Sequence, residues 1–108
     1  MIPCILAHDL GTSGNKASLF DFNGKLIGST VVSYSVYYPR RGWAEERPED
    51  WWNAVCQATK SVLEMVPDAE VSTVAVTGQM MGCLALDKEG KTLGNSIILS
   101  DSRAEAES

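Results

Sequence analysis

Asp9-Leu10-Gly11-Thr12-Ser13-Gly14-Asn15-Lys16 lies between two apolar stretches, and its residue types suit phosphate chemistry. Glycines let a backbone approach an anion closely, so that N–H groups aim at phosphate oxygens. Thr12 and Ser13 add hydroxyl donors beside Gly11. Asp9, at a strand end, suits Mg2+ held through water. Lys16 is placed to neutralise charge as a phosphoryl group moves, which makes Asp9 and Lys16 the candidates for catalysis. Two other phosphate motifs do not fit. A Walker A loop reads G-x-x-x-x-G-K-[ST] and opens a helix, whereas here Lys16 leads into a strand. The dinucleotide fingerprint G-x-G-x-x-G is missing as well. Taken alone, the run also suits a plain hairpin connection with a polar tip, and spacing leaves both readings open.

The flanking pattern predicts the elements that must hold this loop. Residues 2–8 read as a buried strand and Lys16 to Phe22 as a second. Asn23-Gly24 predicts a type I′ hairpin turn, with positive φ at both positions. A third strand follows from Lys25 to about Tyr37, making three antiparallel strands in succession. Pro39-Arg40-Arg41-Gly42 breaks the run. Pro48 suits a first helical position, and Glu49 and Asp50 suit the helix dipole. Trp51, Val55, Ala58, Val62 and Val66 then form one apolar stripe to about residue 66. Val71 to Thr77, valines and an alanine interrupted only by hydroxyl residues, predicts a strand buried on both faces. After the turn Gly78-Gln79-Met80-Met81-Gly82, stretches 83–87 and 96–100 predict a second hairpin-like unit, and 103–108 the start of a helix. Strands, helix, strands and a further helix imply an α/β mixed sheet with flanking helices.

Composition narrows the function classes. The chain has 108 residues, 44% of them apolar, with a formal net charge of −5. That is enough for one compact domain with a core. No Lys/Arg cluster marks a nucleic-acid surface, and no basic amphipathic face or long apolar run marks a membrane, so neither partner is expected. Cys4, Cys56 and Cys83 are far apart and odd in number, which predicts buried reduced thiols in a cytoplasmic protein.

Other conspicuous residues have structural expectations. His8 reads as a satisfied packing residue. Trp51 and Trp52 are expected to pack the helix on the sheet, and Trp43 to join the core. Glu45, Glu46, Glu49 and Asp50 read as a solvated, dipole-facing group rather than an acid/base pair. Asp21-x-x-Gly24-Lys25-x-x-Gly28 recurs as Asp87-x-x-Gly90-Lys91-x-x-Gly94, an echo ascribed to shared hairpin chemistry and not to a repeat architecture.

Four segments, in order, resemble the FGGY sugar-kinase family of the actin-like ATPase superfamily. Asp9 to Lys16 resembles its first phosphate motif, D-x-G-T-[ST]-x-x-[KR]. Gly42-Trp43-Ala44-Glu45-Glu46-Arg47-Pro48-Glu49-Asp50-Trp51-Trp52 is similar to its G-W-x-E-x-x-P-x-x-W-W. Gly78-Gln79-Met80-Met81-Gly82 is similar to the G-Q-M-H-G of xylulose kinases, and Leu99-Ser100-Asp101-Ser102-Arg103 to W-x-D-x-R. The resemblance implies a ribonuclease-H-like fold, with ATP, Mg2+ and a sugar held in a cleft between two such domains. It implies that Asp9 is the Mg2+-linked carboxylate and that Gly11, Thr12 and Ser13 bind phosphate. Gln79, Met80 and Met81 would contact the sugar, with Asp101 and Arg103 near it. Met81 stands where xylulose kinases have His, and Leu99 where the family has Trp. A lost polar contact alters acceptor selectivity, so a sugar-acid or polyol kinase stays open beside a pentulose kinase. A non-catalytic sugar- or phosphate-binding module is the alternative of another class. Residues 1–108 are expected to be an incomplete N-terminal domain, with the base that activates the acceptor hydroxyl beyond residue 108. The piece alone is expected to be inactive, and a homodimer is an expectation for the full-length protein only.

Overall fold

The computed structural model describes residues 1–105. In chain order the elements are β1 (Ile2–Leu10), β2 (Gly14–Asp21), β3 (Leu26–Ser33), β4 (Glu45–Glu46), α1 (Pro48–Met65), β5 (Ala69–Gly78) and β6 (Ser96–Ile97). Alternation along β1 sets the architecture: Cys4, Leu6 and His8 are buried on one face, while Asp9 is exposed on the other. The main sheet runs β3-β2-β1-β5, with the first three strands antiparallel and β5 parallel to β1. A parallel neighbour needs a crossover, and α1 lies on that connection. The helix packs on β2 and β3, where Ala58 and Val62 meet Cys4, Leu6, Ala17 and Leu19. Gly28 permits this close approach, since a Cβ there would lie 2.9 Å from Val66 Cγ2. β4 and β6 form a second, two-stranded sheet, extended by bridges from Tyr37 to Glu45 and from Cys83 to Ile97.

Several expectations change for physical reasons. The Asn23-Gly24 turn is not type I′, because only Gly24 has a positive φ, 82°. Gly24 N donates to Asp21 O, and Asp21 Oδ1 accepts from the N–H groups of Asn23 and Lys25. An aspartate-capped turn with a glycine bulge replaces the expected pair. Asp87 repeats the arrangement with Glu89, Gly90 and Lys91, so the sequence echo is indeed one turn chemistry used twice. The third strand stops at Ser33 because Tyr34 turns its N–H to Ser13 O and Tyr37 pairs with Glu45. β5 is exposed, with Val74 and Val76 at 57% and 65%, because α1 covers β2 and β3 and leaves β5 at the sheet edge.

On α1, successive side chains point about 100° apart, so Trp51 and Trp52 cannot both face the sheet. Trp51 is half-buried and Trp52 is exposed. Cys56 shares the outward face with Trp52 and Lys60, and Cys83 lies in irregular chain after Gly82, so only Cys4 is a buried thiol. The unit expected over 83–87 and 96–100 narrows to β6 and isolated bridges. Residues 103–105 form a turn, and the rest of the helix expected over 103–108 lies outside the described residues. Among the described residues, no helix is long and apolar enough to cross a membrane.

Candidate functional site

The loop between β1 and β2 is closed by Gly11 N donating to Gly14 O at 3.0 Å. Thr12 and Ser13, at its tip, are exposed. Gly14 is a steric requirement, since a Cβ there would sit 2.7 Å from Val32 O and 3.0 Å from Ser33 Cα. Asp9 and Lys16 are directly opposed across the β1–β2 ladder, so both project from the sheet face away from α1. Among the described residues neither forms a salt bridge, which leaves the carboxylate and the ammonium available to a ligand. Tyr34 braces the loop from outside, with its hydroxyl donating to Gly11 O and its N–H to Ser13 O. Burial, then the charges of Glu46 and Asp9, push the Tyr34 hydroxyl up to about 12, so it remains a donor at neutral pH.

His8 anchors the loop from the core side. Asn15 Nδ2 donates to His8 Nδ1 at 3.0 Å, so the ring proton sits on Nε2 and reaches Thr59 Oγ1 at 3.2 Å. Thr59 in turn donates to Val55 O at 2.7 Å. The histidine is thus a satisfied packing residue, as expected, and its burial lowers its pKa below 6.5. Between the folded and unfolded pKa values the unfolded chain binds the extra proton. This contribution to stability is therefore complete above 6.5 and is lost as pH falls through the folded value. Urea unfolding should show stability falling with acidification below 6.5, by at most about 1.4 kcal/mol per pH unit from this group. A His8→Gln variant with an unchanged slope in that range would rule the histidine out as its source.

A cavity of about 380 Å3 adjoins the loop, lined by Leu10, Trp51, Gln79, Met81, Leu84 and Ser96 among others. Its size is in the range of small-ligand pockets. Leu10 joins the two regions: it lies between Asp9 and Gly11, lines the cavity, and accepts from Gln79 N at 2.8 Å. Met81 has φ 65°, a strained value for a side-chain-bearing residue, at the turn that shapes the wall. Met80 and Met81 are 76% and 75% exposed, so they are not core fillers. Glu46, expected in a solvated group, is instead fully buried. Its Oε1 accepts from Gln79 Nε2 at 2.5 Å and from Trp51 Nε1 at 3.3 Å.

Asp101 and Arg103 come together, but they do not line the cavity. Asp101 Oδ2 accepts from Ala44 N at 2.6 Å, and Arg103 donates to both Asp101 oxygens. Arg103 Nη2 also reaches Glu45 Oε2 at 2.7 Å. The guanidinium lies 3.8 Å from the Trp43 ring centroid, with Arg40 at 5.0 Å. Trp43 is therefore a half-buried cation–π platform, not the core residue expected. The Arg103 hydrogen bonds hold the Asp101 carboxyl well below its usual range and lower that of Glu45. The pair forms a clip on the segment that delivers Glu46 to the cavity.

The sequence profile of the FGGY family of carbohydrate kinases, N-terminal domain, matches residues 4–108. This chain belongs to the FGGY carbohydrate kinases. It is 37% identical to a glycerol kinase of Rippkaea orientalis over 102 residues, 92% of this chain and 20% of that protein. Its fold superposes on the crystal structure of gluconate kinase from Lactobacillus acidophilus with TM-score 0.91 and 27% identity, covering 98% of this chain and 21% of that one. The ligand-bound xylulose kinase from Lactobacillus acidophilus gives TM-score 0.91 at 28% identity, with 97% and 21% covered. The chain thus spans about a fifth of the length of these relatives. The expected ribonuclease-H-like, actin-like ATPase sheet is the fold observed.

An FGGY kinase handles a nucleotide phosphate, and the donors present fit one with Mg2+. Among the described residues, no three His, Cys, Asp or Glu side chains converge on a metal position. Mg2+ needs none of that, since it keeps several waters and takes one or two carboxylates plus substrate phosphates. The exposed Asp9 beside donor groups at Thr12 and Ser13 meets this requirement, whereas the Gly11 N–H, expected to bind phosphate, is committed to Gly14 O within the loop. The sequence reading missed Tyr34 and Glu46. Nothing at Tyr34 marks it, because its partners are backbone atoms 21 and 23 positions away. For Glu46 a signal existed: in an extended segment adjacent side chains point to opposite sides, so Glu45 and Glu46 cannot share one environment.

Proposed function

We propose that the full-length protein transfers the γ-phosphoryl group of ATP to a hydroxyl of a ketose or polyol, with a pentulose such as xylulose as the first candidate. The observation that carries this is the junction at Leu10, where the phosphate loop and the small-ligand cavity share one residue. That adjacency suits a reaction that runs on positioning and charge stabilisation. Asp9 would hold the Mg2+ that accompanies the nucleotide and offsets its charge. Thr12 and Ser13 would donate to the transferred phosphate at the tip of the turn that Gly11 closes, and Lys16 would neutralise charge as it moves. Gln79, Met80 and Met81 would meet the acceptor, and Asp101 and Arg103 would support the wall behind it. Residues 1–108 would be the first part of an N-terminal domain, inactive alone, with the base for the acceptor hydroxyl further along the chain.

The glycerol kinase relative favours a polyol as the second reading. ADP release by the full-length protein, with xylulose, ribulose, glycerol and gluconate offered in turn, separates them. One acceptor is expected to exceed the others by about tenfold or more. No release above the acceptor-free background with any of them would overturn the kinase reading.

A further inference from the structure

Glu46 is fully buried, and its second carboxylate oxygen, Oε2, has no hydrogen-bond partner. Buried carboxylates are normally paired or fully hydrogen-bonded, so this one needs a reason. Its Oε1 is engaged by two residues of the cavity wall, Gln79 through Nε2 and Trp51 through Nε1. One hydrogen of Gln79 Nε2 is committed to Glu46, which fixes the amide's orientation, and the Gln79 Oε1 is also buried without a partner. Among the described residues, no Lys or Arg side chain pairs with Glu46. One hydrogen bond behind the wall there is thus a carboxyl group with an unpartnered oxygen, and in the wall an amide whose orientation that group dictates. Both favour a ligand that donates hydroxyl protons, and both disfavour one that brings a carboxylate.

We infer that Glu46 is a specificity-determining positioning residue: it fixes Gln79 with its oxygen as acceptor and backs the wall with an unpartnered carboxyl oxygen, so that the cavity takes neutral polyhydroxy acceptors and rejects sugar acids. The inference rests on the kinase reading and narrows it to one chemical class. A glutamine at this position keeps an oxygen for Gln79 and Trp51, but it turns Oε2 into a donor.

The test uses the full-length protein with ATP and Mg2+, comparing kcat and KM for D-xylulose, glycerol and D-gluconate. The wild type is expected to favour its best neutral acceptor over gluconate by about 100-fold or more in kcat/KM. Glu46→Gln should narrow that ratio by about tenfold or more, through KM rather than kcat. Gln79→Leu should raise the neutral acceptor's KM by about tenfold, and adding Glu46→Gln to it should cost little further, because the two act as one unit. If Glu46→Gln fails to fold, the Gln79→Leu result alone decides, and an unchanged KM there overturns the inference. So does a wild type that uses gluconate as well as a neutral acceptor, an unchanged ratio in Glu46→Gln, or strict additivity. Those outcomes leave the kinase reading standing, whereas a wild type that phosphorylates none of the three sinks both.

Discussion

Asp9→Ala in the full-length protein is expected to lower kcat by at least about 10²–10³-fold while leaving the fold unchanged, a size typical for losing one electrostatic contributor to a transition state. Asp9 is exposed at the end of β1, makes no salt bridge among the described residues, and stands opposite Lys16 and Thr77 in the ladders on either side. The loss should therefore cost little stability, within about 0.5 kcal/mol, as for other surface changes. Its neighbours explain the large effect on rate. The tight Gly11–Gly14 turn begins two residues on, and Leu10 between them lines the adjoining cavity. Steady-state kinetics with ATP and the best acceptor, beside a thermal melt, checks both halves. A variant that turned over at the original rate would remove the phosphate role from this loop. Asp9→Asn should behave like Asp9→Ala, since it keeps the shape and loses the charge.

The β1–β2 loop was legible because its residue types are local. Glycines, hydroxyls, an acid and a lysine within eight consecutive residues need only two flanking strands to become one surface. The helix was equally plain, with Pro48 starting it and Ala58 and Val62 at the centre of its buried face. What stayed hidden depends on distant partners. Glu46 is buried only because Gln79 and Trp51 close over it, 33 positions and 5 positions away. The need for glycine at position 14 arises from Val32 and Ser33 on the neighbouring strand β3, which no reading of the loop alone could supply. The valine-rich run in β5 indicated a strand correctly, but not its burial. Burial depends on which elements cover a strand, and α1 lies over its neighbours instead.

Asp101 and Arg103 illustrate a second limit: motif likeness put them near the substrate, while their geometry makes them a clip. Their roles predict a distinctive pattern for Arg103. Arg103→Leu should lower kcat/KM by about 10²-fold, the scale reached when a wall is displaced by about 1 Å. The Asp101 side chain, only 2% exposed, would lose the group that donates to both its oxygens, and Trp43 would lose its stacked cation. Segment 42–46 would then be held on this side mainly by Asp101 with Ala44 N, Ser102 with Gly42 O, and the β4–β6 pair. Arg103→Lys should restore only a small part of the loss, because Nε and Nη2 act together as a planar fork and an ammonium is a point charge. Full rescue by lysine would mean that charge alone matters there. Acid sensitivity follows with a definite sign, since both carboxyls of the clip are lowered in the folded state. Their contribution is complete above the ordinary values of 3.8 and 4.5 and is lost as pH falls through the folded values. The clip should therefore hold at every pH above the ordinary carboxylate values. A loss of activity between pH 7 and 5 in the wild type that Arg103→Leu abolished would contradict that.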